Sequence, residues 1–442
     1  MSKYLVIACF VTGLVACNSK KDYDLVFKDP NLYCATVYQL NTVVMGNNFP
    51  PIIASRNYLY ASVAAYEVIA GGYPAAYQSL SGQAKGLKDV PKPIPGKPLD
   101  VEFAALLAFC KLGEAVTFPA GSMKDYVDSL KKLARDHGMP EDLYANSVAY
   151  SDTVGAAIMK WSKKDNYLQT RGAPEYTVTD SPGRWVPTPP AYTSAVEPHW
   201  STIRTVALDS SSQFIPPPPY AFNVKDKNSD YYKEMMSIKN AGDSLTAEQI
   251  HIADFWDDNP FKLNVSGHLM FGTKKFSPPG HWMSIVGIAA KKAGADFPTT
   301  VCAYAKTAIA LFDAFIQCWD EKYRHNTVRP ETVINKYIDP NWRPHLQTPP
   351  FPEYTCGHST CSSAAAEALT SVFGDHFAFT DTTELEFGIK SRSFASFRDA
   401  AIENNWARFY GGIHFHHSCI ISTEYGGKVG ALVSTKLKMK KS

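Results

Sequence analysis

Lys322-Tyr-Arg-His-Asn-Thr-Val-Arg329-Pro330, Phe351-Pro-Glu-Tyr-Thr-Cys356-Gly357-His358 and Arg408-Phe-Tyr-Gly411-Gly412-Ile-His414 are three short clusters in the C-terminal part of the chain. Brought together, they supply three fixed cations, a backbone N–H free of side-chain bulk and two imidazoles. That set suits a tetrahedral, multiply charged oxyanion. Guanidinium forks match pairs of anion oxygens, and a lysine adds a compact point charge. The formal net charge of all 442 residues is only +2, so three gathered cations are a local feature and not part of a general basic character.

Local sequence says how each cluster is presented. Lys322 and Arg329 are seven residues apart, close to two helical turns, and share a face if the helix continues. Pro330 biases Arg329 toward extended backbone, so the helix is expected to end before it. Cys356-Gly357-His358 opens a small-residue helix expected from Ser359 to Phe373, and a helix N-terminus offers unpaired N–H donors to an anion. Gly357 permits close backbone approach, and His358 stands beside the anion as an acid or base. On one continuous helix Arg408 and His414 would point apart. Gly411-Gly412 breaks it and lets His414, opening the next helix, turn back.

Working outward, apolar residues at three- and four-residue spacing predict helices over 31–45, 55–70, 101–118, 123–138 and 141–164. Further helices are expected from Ser244 or Thr246 to Asp258, from Thr300 to Tyr323, over 381–407 and over 414–437. Between the two sets, residues 165–244 carry Pro182-Gly183-Arg184-Trp185, Pro187-Thr-Pro-Pro190 and Pro216 to Pro219, which disfavour regular helix or central strand. This is read as a connecting segment, a packed connector or a shaper of the pocket mouth. No alternating pattern is sustained enough for a sheet, and no repeat is visible. The fold class is all-α: paired helical bundles, a region 31–164 and a region 245–437 that carries the site, joined by a long proline-rich connector.

Bulk properties set limits. Composition is 45% hydrophobic and 19% charged, that of a soluble globular chain with a sizeable core. The near-neutral balance gives no support for nucleic-acid binding. Lys3, the apolar run Tyr4–Val15 and Leu14-Val15-Ala16-Cys17 form a segment too short for a permanent span, read as an export signal over 1–16. Small residues before Cys17 resemble a bacterial lipobox. On that reading Cys17 is lipidated, 17–30 is a tether, and the chain is an envelope lipoprotein held to the membrane only by its lipid. Of nine cysteines, Cys34, Cys110, Cys302, Cys318, Cys356, Cys361 and Cys419 remain after Cys9 and Cys17. An odd number without paired spacing argues against a disulfide framework or a zinc site, although one bridge stays open.

The pattern Lys-x6-Arg-Pro, Gly-His and Arg-x5-His resembles the signature of vanadium-dependent haloperoxidases and type 2 phosphatidic-acid phosphatases. Likeness runs from about Asn31 to the C-terminus. Trp319 and Phe351 fall where the haloperoxidase branch has pocket aromatics. The Trp185–Pro190 loop and the Leu245-Thr-Ala-Glu-Gln249 helix start also look like its bacterial members. The resemblance implies vanadate bonded by His414 and held by Lys322, Arg329, Gly357 and Arg408, with Cys356 beside it. His358 would assist hydrogen peroxide, Lys322 would polarise it, and halide oxidation would serve a small organic acceptor. In the phosphatase alternative the pocket holds phosphate, with His414 as nucleophile and His358 as general acid. A third reading is a non-catalytic oxyanion binder. Three positions depart from the pattern: Cys356 and Ala407 replace serines, and Ser418 stands where an aspartate often orients the histidine.

Overall fold

The computed structural model describes residues 21–441 apart from residues 180, 267, 268 and 273. Residues 1–16, expected to be an export signal, and Cys17 lie outside the described residues. At the centre is the helix Phe297–His325, capped by the Asp296 side chain on the Thr299 N–H and carrying proline in its first turn. It is long and apolar enough to cross a membrane, but it is buried within the protein. Helices Pro51–Gly72, Gly357–Phe373, Pro278–Ala293 and His416–Lys436 pack around it. Pro51–Gly72 in turn contacts Val101–Ala115 and Glu141–Ser162, which makes the N-terminal bundle.

The closest helix pair is Gly357–Phe373 against His416–Lys436. A Cβ on Gly426 would meet the Thr360 carbonyl oxygen at 2.2 Å, and one on Gly430 the Ala364 carbonyl oxygen at 2.4 Å. Only glycine allows that approach. The contact matters for function because each of these helices begins beside one of the site clusters.

Several expected boundaries shift. The expected 381–407 helix is instead strand Phe379–Asp381, a 3-10 turn Thr383–Phe387, strand Arg392–Phe394 and a helix only over Phe397–Tyr410. Phe379 pairs with Phe394, and its ring packs on both Phe394 and Phe397, so burial of an aromatic cluster overrides helical periodicity. A second hairpin joins Leu263–Ser266 to Leu269–Gly272. The connector 165–244 contains a regular helix, Asp230–Asp243, capped by the Ser229 side chain, and Pro278–Ala293 and Pro330–Tyr337 are helices the periodicity did not predict. The tether expectation also fails at its end. Tyr23–Phe27 is helical, and the fully buried Phe27 ring lies 4.9 Å from Phe103. All seven described cysteines are free.

Candidate active site

The helix Phe297–His325 ends as expected before Arg329, with Asn326 left-handed at its C-cap. Arg329 is extended (φ −76°, ψ 150°) and caps the next helix, Pro330–Tyr337. Lys322 is fully buried and donates to the carbonyls of Pro352 (2.8 Å), Glu353 (3.1 Å) and Thr355. Its ammonium lies 5.0 Å from the Phe351 ring and 5.7 Å from the Trp319 ring. Burial depresses the Lys322 pKa to about 8, the Cys318 thiol working against that shift.

Arg329 Nε donates to the Phe351 carbonyl at 2.8 Å. Its Nη1 donates to the Ile413 carbonyl at 2.8 Å and to His414 Nε2 at 3.0 Å. Burial, partly offset by Glu353, lowers this guanidinium to about 10. Arg408 Nη2 donates to the Trp256 carbonyl and Nη1 to His358 Nε2 at 3.3 Å. Since arginine only donates, the partners place the His358 proton on Nδ1. Burial and then Arg408 hold this imidazole well below its usual pKa. Two guanidinium nitrogens, Arg329 Nη2 and Arg408 Nε, are buried without an acceptor.

His414 reaches the site as expected from Gly411-Gly412. The preceding helix stops at Tyr410, and Gly412 is left-handed (φ 76°), where a Cβ would strike Pro344 at 2.9 Å. The following helix opens at His416, so His414 sits in the turn ahead of it. Its Nδ1 bonds Glu353 Oε1 at 2.9 Å, both side chains being buried. With Arg329 donating to Nε2, His414 is the Nδ1–H tautomer with its Nε2 lone pair toward the guanidinium.

Glu353 is the residue the sequence reading missed. The Ser418 hydroxyl is buried without a partner, so it does not orient His414. The usable signal was an acid among prolines and aromatics, inside a cluster already singled out. Cys356 is the N-cap of Gly357–Phe373, and its N–H donates to Ser422 Oγ at 2.8 Å. Burial pushes its thiol up, but the Cys419 thiol and His414 outweigh that and hold it well below the usual range. A Cβ on Gly357 would find only ordinary contacts, 3.5 Å from Trp319 and 3.9 Å from Lys322. The fold itself therefore does not demand glycine there.

The buried aspartates Asp257, Asp258 and Asp313 pair with groups other than the pocket arginines. Asp313 accepts the N–H groups of Val206, Ala207 and Leu208, Asp257 pairs with Lys262, and Asp258 faces His281. The proline-rich segment lies against the site elements: the Val196 carbonyl accepts from Trp319 Nε1 (3.1 Å) and the Tyr323 hydroxyl (2.7 Å).

The family described as the VCPO second helical-bundle domain matches residues 303–441. A bacterial vanadium-dependent iodoperoxidase of known crystal structure is similar over 93% of this chain and 97% of its own, with 42% identity and a TM-score of 0.87. The chain belongs to the vanadium haloperoxidase family. The apo and holo forms of a bacterial vanadium-dependent chloroperoxidase, 17% and 16% identical, share the haloperoxidase fold. Each covers 88% of this chain at a TM-score of 0.63, and the alignments span 94% and 92% of those chains. No curated protein sequence matches. The helical architecture expected from the sequence is thus that of a vanadium haloperoxidase.

Proposed function

We propose that this haloperoxidase binds vanadate among Lys322, Arg329, Gly357, Arg408 and His414, and oxidises halide with hydrogen peroxide for transfer to a small organic acceptor. One observation carries the reading. His414 is fixed through Nδ1 by a buried carboxylate and turns Nε2 toward a buried guanidinium that still lacks an acceptor on Nη2. Buried N–H groups without acceptors are costly, and a multiply charged oxyanion is the ligand that satisfies them. The donor set fits vanadate on that test.

When bound, vanadate supplies a Lewis-acidic centre that activates peroxide without changing oxidation state. The residues do the rest. Glu353 keeps the proton on His414 Nδ1, so the Nε2 lone pair, which accepts from Arg329 here, would be the ligand once that guanidinium donates to the oxyanion. Arg329 and Arg408 offer charged donors to the oxyanion, and the N-terminal amides of Gly357–Phe373 add donors and a positive dipole end. Lys322, preset by three carbonyls and two rings, brings a charge that burial has left close to release. His358, neutral and half-buried, is suited to take a proton from incoming peroxide. Trp319 and Phe351 would border the halide position.

The test uses the purified chain with orthovanadate, peroxide and iodide or bromide, following halogenation of a phenol dye, alongside phosphate release without vanadate. Vanadate-dependent halogenation supports the reading. Phosphate release alone would move the site to hydrolysis by His414, and oxyanion binding with neither reaction would leave a binder. Envelope attachment through Cys17 is proposed as well: labelled palmitate should enter the wild-type chain and not Cys17→Ala.

A further inference from the structure

Behind the oxyanion pocket lies a second polar cluster with no part in the chemistry above. His281, in the first turn of Pro278–Ala293, is fully buried. Its Nδ1 is 3.0 and 3.1 Å from the two oxygens of Asp258, and 3.8 Å from Glu384 Oε1. Its Nε2 is 2.8 Å from Asp381 Oδ2. All three carboxylates are buried, and Glu384 takes no hydrogen bond on either oxygen. The nearest cation to it, Lys275, stands 3.7 Å from Oε2.

We propose that Asp258, His281 and Glu384 form a buried site for a small divalent cation of the zinc or manganese class, which braces the wall of the oxyanion pocket. One ligand atom from each lies within 4.8 Å of the other two, the spread expected around a single ion. Asp258 presents both oxygens to the same place, so one nitrogen and three oxygens are on offer. Asp381 completes the arrangement: ligating histidines donate their second ring N–H to a carboxylate, and His281 Nε2 faces one. Charge agrees. Asp258, Asp381 and Glu384 face Lys275 and the His281 ring in a dry place, and a divalent ion would displace the protons that otherwise balance them. Glu384 is the decisive group, because it is fully buried and neither of its oxygens has a hydrogen-bond partner.

The cluster is placed to act on the pocket. Trp256 stacks on His281 with centroids 4.7 Å apart and planes 20° apart, and its carbonyl accepts from Arg408. The cation would tie the turn carrying Asp258, the helix start carrying His281 and the 3-10 turn carrying Glu384 into one support for Trp256, and through it for Arg408. This makes Glu384 a positioning residue and not a catalytic one.

The experiment uses the tag-free whole chain, dialysed against chelator, loaded with excess Zn2+ or Mn2+, desalted and measured by elemental mass spectrometry. One equivalent should remain on the wild type and raise its melting temperature by several degrees, with both effects lost in Glu384→Gln. Co2+ added to the wild type gives a second reading that does not depend on the folding of that variant: visible absorption bleached by one equivalent of Zn2+. A wild type that retains neither ion and shows no Co2+ band overturns the proposal. So does a folded Glu384→Gln that keeps the full equivalent, or a His281 ring that NMR finds doubly protonated in the metal-loaded sample.

Discussion

Glu353 and His414 form a pair in which a buried acid sets the tautomer of the imidazole proposed to bind vanadate. Glu353→Gln keeps an oxygen for Nδ1–H but removes the charge, and such partners typically contribute 10- to 100-fold in affinity, so vanadate binding should weaken by about that factor. An unchanged titration would remove Glu353 from its role. Lys322 makes a prediction about the ligand-free protein. Between pH 8 and 10.5 the unfolded chain holds a proton that the folded chain has released, so this group makes stability rise with pH there. Urea unfolding at pH 8 and pH 10 should show the rise in wild type and lose it in Lys322→Met, the full span being about 3 kcal/mol. Cys356 is a thiol in the pocket proposed to take peroxide. Cys356→Ser should slow peroxide-dependent inactivation several-fold, with sulfinic or sulfonic acid at residue 356 disappearing from the mass spectrum; equal inactivation of both proteins refutes this. The cations and imidazoles were legible because few residue types hold an oxyanion and their spacing is distinctive. Glu353 was not, since no local pattern says which acid will face an imidazole 61 residues away.

At the scale of elements, the helix pair Gly357–Phe373 and His416–Lys436 fixes how far Cys356 stands from His414. Gly426→Ala forces a methyl against the Thr360 backbone, and overpacking of this kind costs about 1–3 kcal/mol. Thermal unfolding should register the loss, and vanadate affinity should fall with it, since both helices lead into the pocket. A variant with unaltered melting temperature would mean the helices part without cost. Long amphipathic helices such as Glu141–Ser162 were readable to within a few residues. The segment 379–394 was not, because pairing of Phe379 with Phe394 depends on the wall they pack against. Pro278-Pro279-Gly280 looks like a loop when read locally, yet proline is well tolerated in a first helical turn, and there it starts a sixteen-residue helix.

For the molecule as a whole, the segment Tyr23–Phe27 is part of the fold. Phe27→Ala should lower stability by about 3–5 kcal/mol while leaving the vanadate site intact, as read by denaturant unfolding and vanadate titration. Loss of less than 1 kcal/mol would restore 17–30 to the status of a plain tether. The proline-rich segment has a different consequence. Several of its grips on the pocket elements are made by its main chain: Val196 bonds Pro350, Trp319 and Tyr323, and the Trp185 N–H bonds the Asn326 carbonyl. Attachment by peptide groups is indifferent to which side chains the strap carries. Residues facing outward from it are therefore free to drift under selection, so descendants of this chain could change that outer face without disturbing the charge cradle beneath.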